Sequence, residues 1–100
     1  MSVEELRKLV KQSLSIVSTA TAKDDEIDMW IDAAITDMKR QAIAVGDNSD
    51  PLVKSAIVMF VKANFGNVDI SGKELYQHTY NLLCANLSLS SDYKEVSTND

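Results

Sequence analysis

Histidine and cysteine are the side chains that most often act as bases, nucleophiles or metal ligands, and this chain of 100 residues has one of each. His78 has Asn81 and Leu82 three and four residues further on, and neither can act as its catalytic partner. Cys84 lies in an apolar stretch, without a basic neighbour that would favour the reactive thiolate. We therefore expect a surface or partly packed histidine and a buried, unreactive thiol.

Two acidic segments have residue types that can bind cations. The segment 24–28 (DDEID) stands at the start of a predicted helix, where carboxylates face the positive end of the helix dipole, and we interpret it as a solvated helix start. The segment 47–50 (DNSD) lacks the central glycine and terminal glutamate of a calcium loop. With three glycines in the chain, we find no glycine-rich phosphate loop. The sequence predicts no metal, no cofactor and no enzymatic activity.

Composition places the chain among small folded domains. The hydrophobic fraction is 45 %, and 100 residues suit one domain. A net charge of −5 argues against a broad grip on nucleic acid or on an anionic membrane, since either needs clustered Lys and Arg. A single cysteine, no signal-peptide pattern and no long apolar run predict a soluble protein made in a reducing cytoplasm.

The apolar pattern predicts four helices joined by short loops. Three amphipathic segments carry apolar residues at helical spacing: 2–17, 24–43 and 72–87. Ser2 with Glu5, and Ser71 with Glu74, have the spacing of a capping box at the start of a helix. We expect an all-α, four-helix bundle-like domain over residues 1–87, followed by a polar, flexible C-terminal tail over residues 88–100.

The segment DPLVKSAIVMFVKANFGN predicts a third helix that is apolar nearly all round. Asp50 is a good N-cap, Pro51 suits the first helical position, and Gly66 can adopt the left-handed conformation that ends a helix. A helix of this kind must be covered on most sides, either by the other helices or by other subunits.

Several large side chains are candidates for contacts between subunits, with core packing as the alternative. Trp30 is next to Ile31 in the sequence but lies about 100° away from it around the second helix, off the apolar stripe, and tryptophan is enriched at interface hot spots. The candidates for a subunit interface are Trp30, Val58, Met59, Val61, Tyr76 and Tyr80.

Three segments, in this order, resemble a known family: DDEIDMWIDAAITDMKR, DPLVKSAIVMFVKANFGN and YQHTYNLLCANLSLSSDY. The chain is similar, over about residues 3–93, to the small head–tail connector (adaptor) proteins of long-tailed bacteriophages and prophages. These segments are packing motifs, so the resemblance rests on their order and not on a catalytic signature.

The resemblance implies a structural virion protein at the head–tail junction, made in the bacterial host cytoplasm. Such proteins form a ring beneath the portal after DNA packaging, extend the DNA channel without specific DNA binding, and contact a stopper or tail protein. It implies a free subunit that is monomeric or weakly associating in solution, and contacts made by the loops 46–50 and 66–71. The portal-docking candidates are Ser88, Leu89, Asp92 and Tyr93.

The alternative hypothesis is a small helical nucleic-acid-binding or regulatory protein, because helix-turn-helix domains have a similar size. A recognition helix should present Lys and Arg to phosphates. The third helix offers Lys54 and Lys62 and the fourth offers Lys73. This charge pattern favours the connector.

Overall fold

A computed structural model describes residues 1–66 and 70–89 of the chain. The described residues form four α-helices: α1 (Val3–Ser13), α2 (Asp24–Arg40), α3 (Pro51–Asn64) and α4 (Ile70–Leu89). The predicted all-α fold is confirmed. None of the described helices combines the length and the hydropathy that crossing a bilayer requires.

Helix α3 is the centre of the domain and packs against α1, α2 and α4. It begins as predicted, because Asp50 Oδ1 accepts hydrogen bonds from the backbone N–H groups of Leu52 (2.8 Å) and Val53 (3.4 Å). It ends before Gly66, which has a φ of +50°. Its nearly all-round apolar character therefore reflects burial by three neighbouring helices.

One face of each of α1, α2 and α4 packs against α3 and forms the hydrophobic core. Residues at helical spacing on α1, α2 and α4 point inward, with Ile43 from the loop after α2. The side chains at most 2 % exposed are Leu6, Val10, Ile27, Ile31, Ala34, Met38, Ile43, Val53, Ala56, Ile57, Val61, Tyr80, Cys84 and Leu87. Fully burying an aliphatic side chain of this size contributes about 1.5–3 kcal/mol, so this set is the main favourable term in folding.

Two helices end earlier than the periodicity predicts, and both end in the same way. Ser15 (φ +59°) and Ala42 (φ +60°) adopt the left-handed conformation, although neither is a glycine. The next N–H then bonds back to a carbonyl five residues earlier, from Ile16 to Lys11 (2.8 Å) and from Ile43 to Met38 (3.1 Å). The predicted extensions of α1 to residue 17 and of α2 to residue 43 are therefore wrong. The apolar residues there belong to the turn and pack on the core from it.

Helix α4 is longer at both ends than the predicted span 72–87. It begins at Ile70, so Ser71 lies within the helix and the predicted capping box at this position is wrong. Ser88 and Leu89, assigned from the sequence to the tail, form its last turn. Asp92, Tyr93 and the rest of the predicted tail lie outside the described residues, as do residues 67–69 of the predicted contact loop 66–71.

Candidate functional site

His78 and Cys84, the two residues with catalytic potential, do not form a reactive centre in the described structure. His78 is exposed on α4. Cys84 is 2 % exposed, and burial raises the pKa of its thiol, which disfavours the thiolate. Within residues 1–66 and 70–89 no three His, Cys, Asp or Glu side chains come together as metal ligands.

An aromatic cluster joins α2, α3 and α4. Trp30 packs at a tilt on Phe60, with ring centroids 6.3 Å apart, and Phe60 meets Tyr80 edge to face at 5.1 Å. The Tyr80 hydroxyl donates a hydrogen bond of 2.6 Å to Asp37 Oδ2. Burial, followed by this hydrogen bond, raises the pKa of Tyr80 and keeps the hydroxyl protonated. The cluster therefore ties the three helices together from inside the subunit.

The six interface candidates divide between core and surface. Val58, Val61 and Tyr80 are at most 7 % exposed, so in this conformation their contacts lie within the subunit. Trp30, Met59 and Tyr76 remain partly exposed. For all six side chains a contact with a neighbouring subunit stays a prediction.

Within the part of the chain that the structure describes, Trp30 has an unpaired hydrogen-bond donor, and Tyr76 has a cation–π contact. The indole N–H of Trp30 is buried, and among the described residues it has no hydrogen-bond partner. An unpaired buried donor costs about 1–3 kcal/mol, which a new acceptor would recover. The Tyr76 ring has the Lys62 ammonium 4.6 Å from its centre, a cation–π contact between α4 and α3.

Two ion pairs join α1 and α2 that the sequence patterns did not predict. Arg7 donates from Nε to Asp28 Oδ1 (2.7 Å) and from Nη2 to Asp28 Oδ2 (2.6 Å), and this partner raises the pKa of Arg7. Lys11 is 4 % exposed, and its ammonium donates to Asp24 Oδ1 (2.9 Å) and to the carbonyls of Ser18 (3.1 Å) and Ala20 (2.7 Å).

The signal for these ion pairs was present as a matched spacing. Arg7 and Lys11 are four residues apart, as are Asp24 and Asp28, and antiparallel helices bring such pairs into register. The interpretation of segment 24–28 as a solvated helix start is corrected accordingly, because two of its carboxylates bind α1.

An apolar groove lies open between α1 and α3. We call it the α1–α3 groove; its volume is about 390 Å³, and it is lined by Leu9, Ser13, Pro51, Lys54, Ser55, Val58 and Met59. Most of this lining comes from α3, whose residues 51–59 run along the groove for about 12 Å at 1.5 Å per residue. The face of α3 left uncovered by the other helices is therefore concave and mostly apolar.

A second uncovered surface runs along the outer side of α4. Leu75, Leu82 and Leu89 are spaced by seven residues and are 61 %, 53 % and 84 % exposed. His78 and Ala85, also exposed, stand between them. We call these five residues the α4 seam, and the residues Tyr80, Cys84 and Leu87 face the opposite way into the core. The apolar spacing over 72–87 predicts an amphipathic helix but does not show that Leu75 and Leu82 lie on its outer side.

Of the portal-docking candidates, the described residues include two. Leu89 is the most exposed large apolar residue in this part of the chain, and the hydroxyl of Ser88 donates to the carbonyl of Ala85 (3.1 Å). They stand where α4 leads into the segment that holds the other two candidates.

Comparison with known proteins gives one match. A family model described as "Phage connector protein" matches residues 8–94. No curated protein and no solved structure matches the chain. The matched region includes α2, α3 and α4 in full and most of α1, together with the groove and the seam.

Proposed function

This chain belongs to the phage connector protein family, and we propose that it forms a ring beneath the portal that extends the DNA channel after packaging. Connector proteins are structural proteins of the phage head–tail junction, where they interact with portal and tail components. The observation that carries the proposal is the family match, which extends over nearly the whole described fold.

The geometry supports an assembly role in two ways. The α1–α3 groove and the α4 seam leave large apolar side chains uncovered on a small domain, and uncovered apolar surfaces of this kind mark sites of protein association. The net charge of −5 suits a channel wall that must let DNA slide, since a wall rich in Lys and Arg would hold the phosphates.

Electron microscopy of the chain mixed with its cognate portal tests the ring. We expect added density on the tail-facing side of the portal, with the rotational symmetry of a closed ring of identical subunits. Portal particles that gain no density at any concentration of the chain up to saturation would contradict the proposal.

We further propose that residues 88–93 dock on the portal, beginning with Ser88 and Leu89 at the end of α4. A chain shortened after residue 89 keeps every described helix, so we expect its thermal melting to match that of the full chain. Its binding to the portal should be lost in a pull-down. Equal binding by both chains would exclude residues 90–93 from the portal contact and contradict the proposed docking segment.

The nucleic-acid-binding alternative receives no support from the placement of the lysines on α3. Lys62 lies over the Tyr76 ring, and Lys54 lines the α1–α3 groove, so the two ammonium groups do not form one row facing phosphates. A mobility-shift assay with salt titration separates the two functions, and we expect no specific DNA binding.

A further inference from the structure

The α4 seam is an apolar helix face without charge. From Leu75 to Leu89 the sequence contains no Asp, Glu, Lys or Arg, although a quarter of the whole chain is charged. The outer face of α2 differs, since Asp25, Asp32 and Arg40 are exposed on it. Depletion of charge around exposed leucines is the composition of an interface core and not of a solvated helix face.

The spacing within the seam shows what kind of surface fits it. Leucines seven residues apart, with His78 and Ala85 between them, form the repeat by which one helix packs against other helices. Successive leucines are about 10 Å apart along α4 at 1.5 Å per residue. The α1–α3 groove follows α3 for about 12 Å, so it has the length to receive two leucines of the seam.

We propose that the α4 seam of one copy of this chain docks in the α1–α3 groove of the next copy. This inference rests on the proposed ring, in which each subunit presents one surface to one neighbour and a different surface to the other. The same chain carries a convex apolar face, the seam, and a concave apolar face, the groove. The two faces are complementary in shape. One contact between copies thus covers the groove and two leucines of the seam, Leu75 and Leu82, and leaves Leu89 for the portal.

The charged residues in and around the seam and the groove are compatible with a second copy of the chain in the groove. Copies that each carry −5 repel one another, and a seam without Asp or Glu adds no carboxylate to that repulsion at the point of contact. Lys54 is the charged residue that lines the groove, and Glu74 is exposed immediately before the seam. Glu74, although outside the seam, has the charge opposite to that of Lys54, so docking of the seam adds no repulsion between these two side chains.

The contact between seam and groove is small, so we expect it to hold copies together in a ring but not as a free pair. The seam is about 21 Å long on a helix about 10 Å wide, a strip on the order of 200 Å². A stable pair of proteins buries about 800 Å² on each partner, so one contact of this size leaves two free copies mostly dissociated. A closed ring gives each copy two such contacts, and a portal that holds neighbouring copies raises their effective concentration.

Site-directed cross-linking of the full chain identifies the contact directly. Leu82→Cys and Ser55→Cys, placed in one chain and oxidised at high protein concentration, should give a ladder of dimers, trimers and larger species, because each copy joins two neighbours. The native Cys84 is buried and stays in place as an internal control. Each single variant should remain without cross-links. Dimers from Leu82→Cys alone would show that seam meets seam and would overturn the proposal.

Ring formation on the portal separates this inference from the proposed function. Leu82→Asp should lower the number of ring-bearing portal particles by about tenfold or more, since it places an unpaired charge in the contact. Val17→Asp, at an exposed residue outside both surfaces, is the matched control and should form rings like the wild type. If the wild type forms rings and Leu82→Asp forms them equally well, the seam contact is wrong while the ring stands. If the wild type forms none, the proposed function fails and this inference with it.

Discussion

Replacing Lys11 with methionine tests whether the loop between α1 and α2 is held by a single buried ammonium. Lys11 Nζ donates to the carbonyls of Ser18 and Ala20 and to the carboxylate of Asp24, so all three of its protons are used. Lys11→Met keeps the length and apolar character of the stem but removes the charge and the three donors. The two carbonyls and the carboxylate then lose their common partner.

The magnitude follows from the burial of the pair. Breaking a buried ion pair by removing one partner costs about 3–5 kcal/mol. The side chain of Lys11 is 6 % exposed and that of Asp24 is 20 % exposed, so water recovers part of the loss at the carboxylate. We therefore expect Lys11→Met to lower the free energy of unfolding by about 3 kcal/mol. For a domain of this size that lowers the melting temperature by roughly 12–24 °C.

Chemical and thermal unfolding followed by circular dichroism measure the effect. Lys8→Met is the matched control, because Lys8 is exposed on the same helix and its replacement should change stability by less than about 0.5 kcal/mol. Adding Asp24→Asn to Lys11→Met should recover part of the loss, since the unpaired charge is then removed. A Lys11→Met protein as stable as the Lys8→Met protein would refute the argument.

Three further predictions concern the core and the turns. Tyr80→Phe should lower the free energy of unfolding by about 1.5–3 kcal/mol in urea titration, because the hydrogen bond to the Asp37 carboxylate is lost; an equal effect of Tyr76→Phe on the same helix would contradict this. Ala42→Gly should raise the melting temperature, because glycine adopts the φ of +60° without the roughly 1–2 kcal/mol that alanine spends; a lower melting temperature would show that the turn is unstrained. The Cys84 thiol should react with iodoacetamide at pH 8 far more slowly in the folded protein than in urea, because burial both raises its pKa and blocks access; equal rates would show that α4 opens readily.

The helix interiors could be predicted from the sequence because they depend on local patterns. The Asp50 cap, the proline after it and the apolar third helix each depend on residues close in the sequence, and the structure confirms them. The ends of α1 and α2 could not be predicted in the same way. Glycine is the usual signal for a left-handed helix ending, and here Ser15 and Ala42 take that conformation.

The candidate site was predictable only in part, because burial is decided by which helices meet. Tyr80 and Tyr76 are one turn apart on α4, yet Tyr80 lies in the core while Tyr76 lies at its edge beside Lys62. Leu75 and Leu82 have the composition of core residues, and only the position of α3 shows that they face away from it. The ion pairs between α1 and α2 likewise needed the antiparallel register of the two helices.

Local sequence patterns alone are enough to identify a small helical domain with a hydrophobic central helix and the order of segments found in phage connectors. Those properties follow from the periodicity and capping of each segment, which act over a few residues. Which apolar residues lie in the core and which stay exposed to partners follows only from the packing of the helices. That division depends on the packing of α3 against three helices, and it leaves the α1–α3 groove and the α4 seam uncovered.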